Sequence, residues 1–259
     1  MKKFILSAMM LMCAAVVVAQ EAEKKEYPKP EAMRPAMTEF WLPQPKVVTP
    51  GDEATNSAPS DAIILFDGKN LDAWCSARTG EAAEWDVHDG VFTVNKRKGD
   101  IKTRESFGSF QLHIEWCVPE GITGTSQGRG NSGVFLQDKY EVQILDCYQN
   151  ETYANGQTGS IYKQVIPLAN AMRKPGEWNV YDIIYTAPVF NADGTFRAAP
   201  TVTVIQNGIV LLNNYVIRGT TQYIGHPQVI PHGDGPIRLQ SHGDPSAPIS
   251  FRNIWIRKM

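Results

Sequence analysis

From Asp61 onward the chain is a series of short runs in which apolar and polar residues alternate, with no sustained helical stripe. In FQLHIEWC (110–117), Phe110, Leu112, Ile114 and Trp116 fall on one face, and Gln111, His113, Glu115 and Cys117 on the other. That period of two is the signature of a half-buried strand. YEVQIL (140–145) sets Tyr140, Val142 and Ile144 against Glu141, Gln143 and Leu145, and IRLQSH (237–242) sets Ile237, Leu239 and Ser241 against Arg238, Gln240 and His242. Further runs at AIILFDG, EWDVHDGVFTV, GVFLQ, WNVYDIIYT, TVTVIQNGIVLLNN and ISFRNIWIRK are separated by Gly, Asn and Asp turns. Asn207-Gly208 is a tight hairpin signal, because both positions tolerate positive φ. The spacing predicts an all-β domain over 61–259, an antiparallel two-sheet jelly-roll sandwich.

The chain before Asp61 reads differently. Lys2 and Lys3, the apolar run Phe4 to Val18, and Val17-Val18-Ala19 before Gln20 form a secretory signal over residues 1–19. The expected mature protein is therefore exported, to the periplasm or beyond, without a transmembrane span. Cys13 offers a lipoprotein site, but Met12 before it is bulky for that processing. Residues 20–60 are rich in Pro, Glu, Lys and Ala and read as an extended arm or linker, with the EFWLPQP patch (39–45) packing on the domain. A net charge of -2 gives no reason to expect nucleic acid or an anionic membrane surface as a partner. Cys75, Cys117 and Cys147 do not form a disulfide framework.

Candidate chemistry lies on the polar faces. Glu115, Glu141, Gln143, Gln240 and His242 suit a site that grips hydroxyl groups and moves protons; the plain reading is a solvated outer face. GRGNSGVF (128–135) puts Asn131 beside small residues that let a ligand approach backbone, and GSIYKQ (159–164) follows a long polar loop. His232 and His242 are ten apart, which diagnoses no metal site. YEVQILD (140–146) resembles the strand of a laminarinase-type glycosidase, where Glu, Asp and Glu occupy the positions of Glu141, Gln143 and Asp146. An amide in the middle cannot tune a nucleophile by charge, which argues against ordinary retaining hydrolysis.

The blocks LFDGKNLDAW, GDIKTRESFGSFQLHIEW, GNSGVFLQDKYEVQILD, GSIYKQ, PGEWNVYDI, NGIVLLNN and GPIRLQSHGDPSAPISFRNIWIRK occur in this order. Together they resemble the 3-keto-disaccharide hydrolase family over about 61–259. The resemblance implies a concanavalin-like jelly roll and cleavage of glycosides already oxidised at C3 by a separate sugar 3-oxidoreductase. A C3 ketone acidifies the C2 proton, so a base can take it and the C1 group then leaves, with or without rehydration. That reaction needs a base, an acid and hydrogen-bond donors for the enolate.

On this reading His242 is base or metal ligand, Glu141 is acid or base, and Glu115 is a further catalytic candidate that would also hold substrate. Gln143, Asn131 and Gln240 bind substrate, and Arg104 and Lys163 are rim donors. Asp146 joins them only if a bulge turns it in, because straight alternation turns it away. A divalent metal is compatible with His242 and carboxylates. One departure stands out: the family block Gln-Asp-His-Gly reads Gln240-Ser241-His242-Gly243 here, leaving Asp244 as a substitute partner. The alternative is a non-catalytic carbohydrate-binding module that stacks sugars on Trp74, Trp85, Tyr148 or Tyr153.

Overall fold

The computed structural model describes residues 27–52 and 54–259. The predicted signal segment lies outside them. Contacts divide the chain into two units, Met1–Lys46 and Val47–Met259. In the first, the described part contains one 3-10 turn, Pro35–Thr38. The second begins before the expected boundary at residue 61, because the backbone oxygen of Asn56 accepts from Asn253 Nδ2 at 3.0 Å and Trp255 Nε1 at 3.4 Å.

The larger unit is all-β. Its strands are β1 (Ile63–Phe66), β2 (Trp74–Ser76), β3 (Asp86–His88), β4 (Val91–Thr93), β5 (Ile101–Thr103), β6 (Phe110–Cys117), β7 (Ser132–Leu136) and β8 (Tyr140–Ile144). They continue with β9 (Trp178–Thr186), β10 (Val189–Phe190), β11 (Phe196–Ala198), β12 (Thr201–Gln206), β13 (Ile209–Val216), β14 (Arg238–Leu239) and β15 (Ser250–Lys258). The larger sheet runs β13-β12-β9-β6-β15-β4-β3, with β1 also on β15; the smaller runs β2-β5-β14-β7-β8. All pairings between named strands are antiparallel. This is the two-sheet jelly-roll sandwich that the alternation predicts.

The faces fall as the period requires. Phe110, Leu112, Ile114 and Trp116 of β6 meet Val134 and Leu136 of β7 and Tyr140, Val142 and Ile144 of β8 in one apolar cluster, all buried. Burying each such side chain contributes about 1.5–3 kcal/mol. Trp74 and Trp85 belong to that core, with their indole N–H groups donated at 2.8 Å to Leu65 and Gly99 carbonyls. They are therefore not a sugar platform. Asn207 and Gly208 adopt φ of 52° and 81°, the left-handed pair that closes the β12–β13 hairpin. Strand β14 is shorter than the predicted 237–242 run. Gln240 N–H still pairs with Gly133 O at 3.0 Å, but Ser241 N–H turns to the Asp100 carboxylate at 2.8 Å and ends the ladder.

Candidate active site

Register builds the site on the outer face of the smaller sheet. Arg238 pairs with Phe135, and Phe135 with Glu141, so these three form one rung across β14, β7 and β8. The next rung on the same face holds Gln240, Gly133 and Gln143. Beyond β8 the segment 159–162 adds a further extended stretch: Gln143 N–H donates to Ser160 O at 3.0 Å, and Tyr162 N–H to Glu141 O at 3.1 Å. The order across the sheet is thus β14 with Gln240 just past its end, the glycine strand β7, the Glu141 strand β8 and the Tyr162 segment. Neighbouring strands lie about 4.8 Å apart.

These rungs floor a cavity of about 620 Å³, in the range of a small-ligand site. Glu141, Gln143, Asn131, Gln240, His242 and Lys163 all line it. Gln127, Phe135, Tyr153, Tyr162, Thr221 and Tyr223 complete the wall. Of these additions only Tyr153 carried a signal in the sequence, as a candidate platform residue; Tyr162 lay inside the GSIYKQ block, and Tyr223 sits in a loop without period.

Glu141 is nearly enclosed, and burial pushes its carboxyl up to about 8. Arg238 opposes that rise, but its guanidinium is already paired with Asp100 at 2.5 Å and with Asp138, and Asp100 itself acts to raise Glu141. At neutral pH Glu141 is therefore mostly a protonated acid. Its seat depends on the missing side chain of Gly133. A Cβ there would lie 2.6 Å from Glu141 Oε1 and 3.1 Å from the Phe135 ring, so the carboxyl would have to shift from its present place. The Gln143 amide sits between two acceptors. Its nitrogen donates to Gln127 Oε1 at 3.1 Å, and a half-turn brings it 3.2 Å from Glu141 Oε1 and 3.1 Å from Ser132 O. Protonated Glu141 can donate to the amide oxygen, and ionised Glu141 can accept from the amide nitrogen.

His242 is backed by Asp244. The Asp244 carboxylate lies 3.0 Å from His242 Nδ1, 3.2 Å from Lys96 Nζ, and accepts 2.9 Å from Ser246 N–H. Burial would raise this carboxyl, but hydrogen bonds from His242 and Ser246 and the Lys96 charge outweigh it and hold it at about 2. An ionised Asp244 accepts from a protonated Nδ1 at 3.0 Å, which outcompetes the longer contact in which Asp244 N–H donates to an unprotonated Nδ1 at 3.3 Å. The other ring nitrogen, Nε2, is then the basic one. Asp244 is thus the carboxylate partner of His242.

Three expected site residues lie elsewhere. Glu115 is on the opposite sheet, on its outer side, bound by Arg252 Nε at 2.6 Å and Asn253 Nδ2 at 2.8 Å, with His113 Nε2 at 3.6 Å. Burial would raise its carboxyl, but those three partners outweigh it and hold it at about 2. Burial would likewise lower His113, but Asp182 at 2.8 Å and Glu115 outweigh it and raise the imidazole to about 9. Asp146 is fully buried, 2.8 Å from Arg129 Nε, and accepts 3.0 Å from Tyr148 N–H, so it orders the loop that follows β8 and does not line the cavity. Arg104 donates to Asp72 O at 3.1 Å and does not line the cavity. Tyr148, another platform candidate, does not line it either. Among the described residues no group of three or more His, Cys, Asp or Glu side chains is placed to hold a metal ion.

The description "3-keto-alpha-glucoside-1,2-lyase-like domain" belongs to a family whose model matches residues 61–257. The chain belongs to this family. A provisionally named glycosyl hydrolase of known structure from Parabacteroides distasonis ATCC 8503 is 68% identical, covers 90% of this chain and all of its own, and superposes with a TM-score of 0.85. A second from the same organism, also so named, is 25% identical over 76% of this chain and 99% of its own, with a TM-score of 0.53. No curated protein matches. As a member of the 3-keto-alpha-glucoside-1,2-lyase-like family with these neighbours, the chain is a carbohydrate-active enzyme of glycosidase type. No helix among the described residues is long and apolar enough to cross a membrane.

Proposed function

We propose that the protein cleaves 3-keto-glycosides by elimination across C1 and C2. The observation that carries this reading is the pairing, in one cavity, of an enclosed Glu141 with an Asp244-backed His242, while among the described residues no second carboxylate lines that cavity. His242 Nε2 removes the C2 proton, and the electron pair moves to the C3 oxygen as an enolate. The carbonyl then re-forms, C1=C2 forms and the C1–O bond breaks. Glu141 delivers its proton to the departing oxygen. The products are a 1,2-unsaturated 3-keto sugar and the free aglycone, and addition of water across the double bond gives net hydrolysis.

The amides of Gln127, Asn131, Gln143 and Gln240 grip the sugar. Gln240 Oε1 is buried without a hydrogen-bond partner. A retaining glycosidase would need two carboxyl groups about 5 Å apart, and Asp146 is engaged with Arg129 and Tyr148 outside the cavity. The protein would be exported and act after a sugar 3-oxidoreductase. Incubation with a 3-keto-glucoside and with its unoxidised parent tests this. Appearance of the conjugated enone by ultraviolet absorbance or mass is expected from the former alone, and cleavage of the parent alone would refute it.

A further inference from the structure

We infer that Asp100, which does not line the cavity, is a positioning residue for both proposed catalytic side chains: its carboxylate ends β14 just before His242 and restrains Arg238 on the Glu141 rung. This rests on the elimination reading above. Asp100 is itself firmly placed. It directly precedes β5, and its carbonyl accepts from Ala77 N–H at 2.9 Å. The carbonyl of Gly99 before it accepts from Trp85 Nε1 at 2.8 Å. The two carboxylate oxygens then serve two different donors, Ser241 N–H at 2.8 Å and Arg238 Nη1 at 2.5 Å.

The first contact decides where the base sits. β14 pairs with β5 through Arg238 opposite Lys102 and Leu239 opposite Ile101, so a continued ladder would bring Gln240 opposite Asp100. The ladder stops there, because the Asp100 side chain takes the N–H of Ser241. Ser241 Oγ is buried without a hydrogen-bond partner, which leaves the amide and not the hydroxyl to anchor the residue before the base. His242 follows, with Nδ1 3.0 Å from Asp244. Lys96 Nζ holds the next turn through the carbonyls of Asp244 and Ser246, at 2.6 and 2.8 Å. The turn that carries the base is thus pinned at one end by Asp100 and at the other by Lys96.

The second contact concerns charge. The Arg238 guanidinium lies over the Phe135 ring, 3.5 Å from its centre, and Phe135 separates it from Glu141 on the rung. Two strand spacings put Arg238 about 10 Å from Glu141. Asp100 and Asp138 both bind this guanidinium, so one cation between two carboxylates leaves the cluster net negative. Arg238 pulls the Glu141 carboxyl down, and Asp100 pushes it up. Without the Asp100 charge the cluster would be neutral, and Glu141 would release its proton more readily. A unit charge at such a distance moves a carboxyl by on the order of one pH unit. The other titratable groups around Glu141 are His242, Lys163, Tyr153, Tyr162 and Tyr223 in the cavity wall, and Lys102 beyond Arg238 on the same rung. A change confined to Asp100 keeps every one of these side chains.

The test compares wild type, Asp100→Asn and Asp100→Ala on a 3-keto-glucoside across pH, with circular dichroism checking the fold. Asparagine keeps an acceptor for Ser241 N–H and loses the charge; alanine loses both. Asp100→Asn should keep kcat at pH 6 within about threefold of wild type. Its alkaline decline in kcat/KM, which passes through about 8 in the wild type, should begin about 0.5–1 unit lower. Asp100→Ala should show the same shift and also lose about tenfold or more in kcat at pH 6, with KM changed less than about threefold, because the base moves while the sugar-gripping amides remain. An alkaline limb that stays at its wild-type place in Asp100→Asn, or equal kcat at pH 6 in the two variants, would overturn the inference and leave elimination standing. Should Asp100→Ala fail to fold, the limb of Asp100→Asn decides alone. No turnover by the wild type would overturn both readings.

Discussion

Replacing Glu141 with glutamine should change how stability depends on pH, in a direction set by the burial of the carboxyl. Burial raises the folded carboxyl from its usual 4.5 to about 8. Between those values the folded chain keeps a proton that the unfolded chain releases, so stability falls as pH rises through that window. The slope is about 1.4 kcal/mol per pH unit, giving a total on the order of 5 kcal/mol that levels off above pH 8. The amide introduced by Glu141→Gln has no such titration and nearly the same shape. The variant should therefore gain stability relative to wild type steadily from pH 4.5 to 8, and hold a constant offset below and above. Urea denaturation of both proteins at pH 4, 5, 6, 7, 8 and 9 measures the difference, in which every other titration cancels. A difference independent of pH would show that Glu141 ionises normally in the fold, and the acid role assigned to it would fall with that result. The same proton predicts that kcat/KM on a 3-keto-glucoside declines as pH rises through about 8.

His242→Ala should lower kcat on the keto-sugar by about 10²–10⁴-fold, the usual contribution of a positioned base, with the fold intact by circular dichroism. Asp244→Asn should keep the fold but release His242 Nδ1 from its carboxylate, and a loss of less than about tenfold in kcat would argue against the dyad. Gly133→Ala should cost about 1–3 kcal/mol in urea denaturation and displace the Glu141 carboxyl, lowering kcat/KM with it. On the far sheet, the raised His113 contributes stability that is full below pH 6.5 and lost as pH rises through about 9, and the lowered Glu115 contributes stability present above pH 4.5 and lost as pH falls through about 2. His113→Gln should remove that alkaline loss in thermal melts while leaving turnover unchanged, since His113 does not line the cavity.

Alternation made the faces legible. It put Glu141 with Gln143 and Gln240 with His242, and it turned Asp146 away, all from strands whose inner residues are unambiguous. It could not say which sheet a strand joins. β6 has the same pattern of inward apolar and outward polar residues as β8, but it pairs with β9 and β15, more than 60 residues away in sequence, and that carries Glu115 to the opposite side of the sandwich. Sheet membership is a long-range choice, settled by packing and not by local period. Tyr223 was hidden for another reason: it sits in a loop, where no period marks a shared destination. Asp244 looked like turn chemistry because it is that as well. Its carboxylate accepts from Ser246 N–H, two residues on, while also holding His242.

Gly133 and Glu141 are joined by exclusion: the space one vacates is the space the other fills. Two positions eight apart in the chain then form a single unit of inheritance. Among descendants of this scaffold, any that lost the acid would be free to regain a side chain at the glycine, and any that regained one would have little use for the acid. Aligned relatives should show the two changing together, and the identity of residue 133 alone should sort those that retain the acid from those that have turned the same cavity to another use.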